Sequence, residues 1–418
     1  MVTRREGVIG SFTLRDRRAV FLMSLTAFVF TFAGSALPHT EPYARNALGL
    51  SRGGMLWIFS IVRAASLLGV LFGIFADRFG RRKPFLVAFA LLPLGNVITA
   101  AFRGPVAFTL GQSLTRIGLI AVAALTVVIL AEELSPHIRA FGLGIHAVAA
   151  SMGGGLGLII LPIAERSDES WRALFWLSGL GIFLLPLLIR FVGESRAFVR
   201  YDARITFRRA LGAGLAKHFW PLAGMAFFIA LFSSPTLDLA LERLIVDLEW
   251  DASAARFLLI VFAGFGSVGL IVGGRLADRV GRRETTVLAL VMGLVGGLAF
   301  YNVSSGWLLA PAVFLSTFGA SMLTPAFSAH RSELFPTRVR AMAAGWLTNV
   351  AILGSITGFL TGALIVDTIG LSLTISMLGA GLVIALLLVL KLPETRGLDV
   401  VRGARSNTRT PVPPSAPR

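Results

Sequence analysis

The stretch GIFADRFGRR at Gly73–Arg82 returns as GRLADRVGRR at Gly274–Arg283, which sets Asp77 and Asp278 a step of 201 residues apart. The same step carries Glu132 and Arg139 to Glu333 and Arg340. It also carries Gly144, Gly153 and Gly157 to Gly345, Gly354 and Gly358. Low-complexity sequence does not hold one offset across acids, bases and glycines together, so the 418-residue chain is a duplicated unit.

Composition places the two copies in a bilayer. With 55% hydrophobic residues, 15% charged residues and a mean hydropathy of +0.79, the chain is far more apolar than a soluble domain. Its apolar runs match the ~20 residues that cross a membrane as a helix. Bounded by charges, Pro or Gly, they predict twelve spans: 19–38, 55–76, 85–102, 106–131, 140–163 and 171–190, then 218–236, 254–277, 286–303, 307–328, 341–363 and 370–390. The expected fold is an all-α integral membrane protein of twelve transmembrane helices in two six-helix bundles related by a pseudo-twofold repeat. The corresponding segments are 1–18, a cytoplasmic N-terminal segment; 19–190, the first bundle; 191–217, a cytoplasmic linker; 218–391, the second bundle; and 392–418, a largely disordered cytoplasmic tail.

The net charge of +17 suggests a nucleic-acid partner only until the bases are placed. Of the 39 Lys and Arg, 29 fall on the side of the N-terminus and 7 on the opposite side, while Arg63, Arg116 and Arg275 lie within spans. That asymmetry is the positive-inside pattern. It predicts a multi-pass protein of the cell membrane with both termini in the cytoplasm, in contact with anionic lipid and not with nucleic acid. The apolar run from Phe21 is too long for the core of a secretory leader and a second span follows at once, so this segment is expected to stay in place. Cysteine is absent, which removes disulfides, thiolate metal sites and thiol nucleophiles. The linker from Arg190 to Lys217 mixes bases with Phe198, Tyr201 and Phe207, the composition of a segment lying on the inner leaflet or of a solvated tether.

The two copies of the GxxxDRxGRR string resemble the signature of the major facilitator superfamily, and the resemblance covers the chain apart from its tails. The pairs Glu132 to Arg139 and Glu333 to Arg340, the string SELFPTRVRA at Ser332–Ala341 and PETRG at Pro393–Gly397 are similar to its sugar-porter and metabolite–proton symporter branches. Glu194 to Arg196 resembles a first-half counterpart of PETRG. Where those branches carry Arg, twenty residues before the span 4 Glu, this chain has Gln112, and the charge stands one helical turn on at Arg116. The glycine element of drug antiporters is incomplete, because Leu158 follows Gly157 in place of Pro. The resemblance implies a secondary transporter working by alternating access, powered by a proton gradient with no cofactor, acting on a small molecule and functioning as a monomer.

A latch reading accompanies the motifs. Short turns carrying both signs form exchangeable ion pairs: Asp77 and Asp278 are placed to face helix N-termini, and Arg81, Arg282, Arg139 and Arg340 to reach Glu132, Glu333 or lipid phosphate. Arg78 and Arg279 belong to the same turns. In the family such residues hold the outward-facing state and part on the inward swing.

Charges at membrane depth are costly and default to function. Arg63 and Arg116 sit about 21 and 24 Å from the cytoplasmic ends of spans 2 and 4 at 1.5 Å per residue, with no acidic residue at that depth. Glu41, Asp238 and Glu242 are the nearest partners. Two arginines with carboxylates only at the rim favour an anionic substrate. Gln112, Thr26 and Asn349 are the residues to orient it, and Phe30, Phe228 and Phe232 to stack on it. Glu41, Asp238 and His146 are the candidates for proton coupling. The alternatives are a proton-coupled exporter of hydrophobic compounds and a membrane sensor or lipid-handling protein without solute flux. No Walker A loop, metal-ligand cluster or catalytic triad spacing appears, so neither an enzyme nor a metal is expected.

Overall fold

The computed structural model describes residues 12–194, 213–335 and 337–396. The expectations for the linker and for the tail beyond Arg396 lie outside them, as does the start of the N-terminal segment. Among the described residues there is no strand, and twelve helices are long and apolar enough to cross a membrane. We number them α1 (Leu14–Ala47), α2 (Arg52–Phe79), α3 (Arg82–Ala101), α4 (Pro105–Glu133), α5 (Pro136–Ile159) and α6 (Arg172–Phe191). The second series is α7 (Ala213–Asp238), α8 (Ala252–Arg279), α9 (Arg282–Asn302), α10 (Gly306–Leu334), α11 (Thr337–Ile369) and α12 (Leu371–Val389). Within each unit, the end carrying its copy of the duplicated turn (77–84 in the first, 278–285 in the second) is called the near end and the other the distal end.

Helix α1 starts on a capping box, in which the Thr13 hydroxyl accepts from the Asp16 N–H and the Asp16 carboxylate from the Thr13 N–H. It then runs well past the predicted limit at residue 38, through Pro38 and Pro42. Proline is a poor stop signal here because a membrane helix has no water with which to end, and neighbouring helices absorb the broken hydrogen bonds. Glu41 therefore stands inside α1, 2% exposed. Two helices are irregular where regular spans are predicted. A 3₁₀ stretch, Leu180–Leu184, interrupts α6, and a π turn, Leu259–Ala263, interrupts α8.

Contacts divide the chain into two compact units that do not follow the repeat. The first comprises Met1–Arg204, Ala230–Val261 and Ile352–Leu378; the second comprises Ile205–Ile229, Phe262–Ala351 and Gly379–Arg418. In the first unit α1, α3 and α4 surround an apolar core of Met23, Phe30, Phe85, Phe89, Leu92, Val122 and Leu125. The distal segments of α7 and α11 pack into this unit, with Phe59 stacked on Phe359 at 4.9 Å. In the second unit α9 and α10 form the tightest pair.

Those tight pairs reveal a further element of the repeat. A Cβ on Gly95 of α3 would fall 2.3 Å from the Gly111 carbonyl of α4, and one on Gly296 of α9 would fall 2.2 Å from the Ser316 N of α10. Gly95 and Gly296 keep the 201-residue step, and in each unit the bare glycine lets two backbones touch.

Candidate functional site

The near end of the first unit is built around Gly80, whose φ of +96° is open to glycine and strained for other residues. The turn there delivers Arg81 to Asp77 and to Glu132 at 3.3 Å. In the second unit Gly281 (φ +146°) plays the same part, and Arg282 pairs with Asp278 at 3.0 Å and Glu333 at 3.1 Å. The N-termini of α3 and α9 are met by neither aspartate. Glu194 accepts from the N–H groups of Arg81 (2.5 Å) and Arg82 (3.4 Å), and Glu394 from those of Arg282 (2.9 Å) and Arg283 (2.8 Å). A helix N-terminus offers free donors and partial positive charge, which a carboxylate satisfies directly. Partial burial works to raise the Glu394 carboxyl, but hydrogen bonds from the Glu284 side chain and the N–H groups of Arg282, Arg283 and Arg396 hold it down at about 2. Arg139 and Arg340 do not reach Glu132 and Glu333: they donate to the carbonyls of Leu134 (3.3 Å) and Phe335 (3.4 Å). Those oxygens close the C-terminal ends of α4 and α10, where cations are favoured. Arg78 lies over the Phe79 ring, and Arg279 is exposed.

Midway along the first unit a cavity of about 50 Å³ opens between α1, α2, α4 and α7, lined by Arg63, Arg116, Gln112, Thr115, Phe59 and Asp238 among others. That volume has room for a few water molecules or the polar head of a solute. Arg63 forms an ion pair with Asp238 and lies 5.4 Å from the Phe359 ring centroid. Arg116 donates to the Ser66 hydroxyl at 3.3 Å, and no carboxylate lies within ion-pair distance of it among the described residues. One of the two arginines is therefore compensated and one is not.

The distal end of the first unit carries a buried charge cluster. Glu242, 2% exposed, accepts from Arg45 (3.0 Å) and Arg52 (2.9 Å); Arg52 also pairs with Asp247, which Arg243 reaches at 3.3 Å. Glu41 lies 3.6 Å from Arg45. Nearby, Glu165 joins Arg256 to the Tyr43 hydroxyl, and Asp367 accepts from the Gly53 N–H (3.0 Å) and the Ser51 hydroxyl (2.7 Å) at the start of α2.

The profile of the Major Facilitator Superfamily matches residues 20–210 and 222–415. The chain belongs to that superfamily. Among its relatives are the 3-(3-hydroxy-phenyl)propionate transporter of Escherichia coli, 27% identical over 75% of this chain and 78% of the relative, and the citrate–proton symporter of Klebsiella pneumoniae, 25% identical over 87% of each. A crystallised D-xylose–proton symporter shares the fold with a TM-score of 0.74 at 18% identity, over 90% of this chain and 98% of that one. The protein is thus a multi-pass membrane transporter of the superfamily, a class whose members move small molecules.

Within this superfamily frame the predicted site residues separate. Arg63, Arg116 and Gln112 meet in one cavity with Asp238. Thr26 and Phe30 do not line it: the Thr26 hydroxyl donates to Leu22 of its own helix at 2.7 Å, and Phe30 packs in the apolar core beside His146. Phe232, 3% exposed, is also absent from its lining. Phe228 and Asn349 belong to the second unit, where Asn349 Oδ1 is buried without a partner among the described residues. His146 lies 3.2 Å from the Thr126 hydroxyl, a cross-helix bond between α5 and α4. Glu242, expected near Arg63 and Arg116, pairs with Arg45 and Arg52 instead, while the capping role of Glu194 and Glu394 and the part of Asp247 in the distal cluster are not readable from the spans. The signal was present for the caps, because the two glutamates follow the last span of each copy, but their step is 200 residues and breaks the rule that marked the rest.

Proposed function

We propose that this transporter takes up small organic carboxylates together with protons. The observation that carries the reading is Arg116, a guanidinium partly buried at the wall of a cavity without a carboxylate partner. A cation held out of water is costly unless paired, and a carboxylate substrate supplies the missing partner in a bidentate geometry. The substrates of those two relatives, 3-(3-hydroxyphenyl)propionate and citrate taken with a proton, are of the same chemical class. Asp238 supplies the coupling. A proton on Asp238 releases Arg63 from its ion pair to join Arg116 in holding the substrate carboxylate, and the pair re-forms once substrate and proton have left. The ion pairs of the near and distal ends part and re-form as access alternates. The excess of Lys and Arg on the near side supports the cytoplasmic placement of the termini in the cell membrane, and the monomer is proposed as the working unit.

The test is flux into proteoliposomes of citrate, 3-(3-hydroxyphenyl)propionate and the lipophilic cation tetraphenylphosphonium, with and without an acidic exterior. Acid-stimulated anion uptake is expected. Arg116→Gln and Arg116→Lys should each weaken it by roughly one to two decades in affinity, the worth of a charge-assisted bond. Movement of the cation and of no anion would replace this reading with drug export, and binding without flux would point to a sensor.

A further inference from the structure

The cavity holds a second recognition element, oriented by a chain of hydrogen bonds that starts from the Asn96 amide nitrogen, 3.5 Å from the Ala33 carbonyl. Gln112 is 2% exposed and lines the cavity one helical turn before Arg116 on the same face of α4. Its Nε2 lies 2.9 Å from Thr99 Oγ1 and 3.1 Å from Asn96 Oδ1. The Thr99 hydroxyl donates to the Gly95 carbonyl at 2.9 Å, so toward Gln112 it only accepts. Asn96 directs its amide nitrogen to the Ala33 carbonyl, which turns Oδ1 toward Gln112 and the Thr115 hydroxyl. Both neighbours thus demand a donor, and the Gln112 amide is locked with its two N–H bonds spent. Its carbonyl oxygen accepts from no described residue and is not sealed among buried orphan atoms. The contact of α3 with α4 at Gly95 is what brings Thr99 and Gln112 within reach.

The geometry points to Gln112 Oε1 as a fixed hydrogen-bond acceptor that selects, among carboxylates, those carrying a hydroxyl. The inference rests on the carboxylate reading above and refines it: Arg116 takes the acid, and Gln112 takes the O–H one turn away. Thr99 is a positioning residue, since it acts only by orienting the amide. A deoxy acid leaves Oε1 desolvated and unpaired, and a site built to bond a hydroxyl rejects the analogue that lacks it.

The experiment compares matched acids by titration calorimetry on the purified full-length protein: 3-(3-hydroxyphenyl)propionate against 3-phenylpropionate, and citrate against propane-1,2,3-tricarboxylate. The wild type should bind the hydroxylated member of at least one pair about tenfold more tightly, the worth of one buried hydrogen bond. Gln112→Met, of similar length, should bring that ratio to about one while still binding the deoxy acid. Thr99→Val leaves Gln112 in place but frees the amide to turn, and should lower the ratio about threefold, which keeps the test open if the methionine variant does not fold. Equal affinities within both pairs for the wild type overturn the inference and leave carboxylate binding intact. An undiminished ratio in the variants overturns the assignment to Gln112, and failure of the wild type to bind any of the four acids removes the carboxylate reading itself.

Discussion

Glu132 and Glu333 hold equivalent places in the repeat, yet Glu333→Gln should destabilise the protein more than Glu132→Gln. Exposure does not separate them, at 20% and 17% of their side chains. Hydrogen bonding does. Glu333 accepts from Arg282 Nε at 3.2 Å to both oxygens, from Nη2 at 3.1 Å and from the Thr395 hydroxyl at 2.6 Å. Glu132 accepts one bond of 3.3 Å from Arg81, and its Oε2 is buried without a partner among the described residues. Hydrogen bonds to charged groups are worth about 1.5–3 kcal/mol each, and the amide keeps some of the acceptors, so we expect a loss of about 2–4 kcal/mol at Glu333. At Glu132 the loss of one long bond is offset by removing a half-orphaned charge, leaving about 1 kcal/mol or less. A difference of about 2 kcal/mol corresponds to roughly 4–8 °C in midpoint for a unit of this size. Intrinsic tryptophan fluorescence of the detergent-purified variants, heated in parallel at low ionic strength, reads it. Equal midpoints, or a lower one for Glu132→Gln, would refute the argument that bond number and not motif membership sets the strength of the near-end network.

Two further outcomes are expected. Gly95→Ala and Gly296→Ala each push a methyl into neighbouring backbone and should cost about 1–3 kcal/mol by the same thermal assay, whereas Gly154→Ala, whose added methyl meets nothing within 4 Å, should be neutral or slightly stabilising. Reporter fusions after Arg200 and Arg402 should read as cytoplasmic, and fusions near Asn46 and Ser167 as exterior. An exterior signal from the linker would reverse the proposed orientation.

The twelve spans and the repeat were legible because membrane burial demands long apolar runs and the duplicated turns sit between them. Which polar groups meet was less so. Arg63 reads as uncompensated on depth alone, because counting residues along straight helices places Asp238 at the rim. In the structure the two side chains meet across the cavity wall. Thr26 looks like a ligand by span and spends its hydroxyl on its own backbone, the usual fate of threonine in a membrane helix. Gln112 was singled out for a missing Arg, and the physical content of that position, a locked amide, depends on Asn96 and Thr99 of another helix. Sequence spacing along one helix is silent about partners on the next.

The carboxylates that cap α3 and α9 also set an order of assembly. Arg81 waits for Glu194 and Arg282 for Glu394, separations of 113 and 112 residues. At about 5–20 residues per second, each turn is made roughly 6–20 s before its cap is synthesised. Until then the first turn of the helix has unpaired donors at the membrane surface. Each copy of the repeat therefore closes its helix start with its own last residues, and a chain halted within a copy leaves that start uncapped.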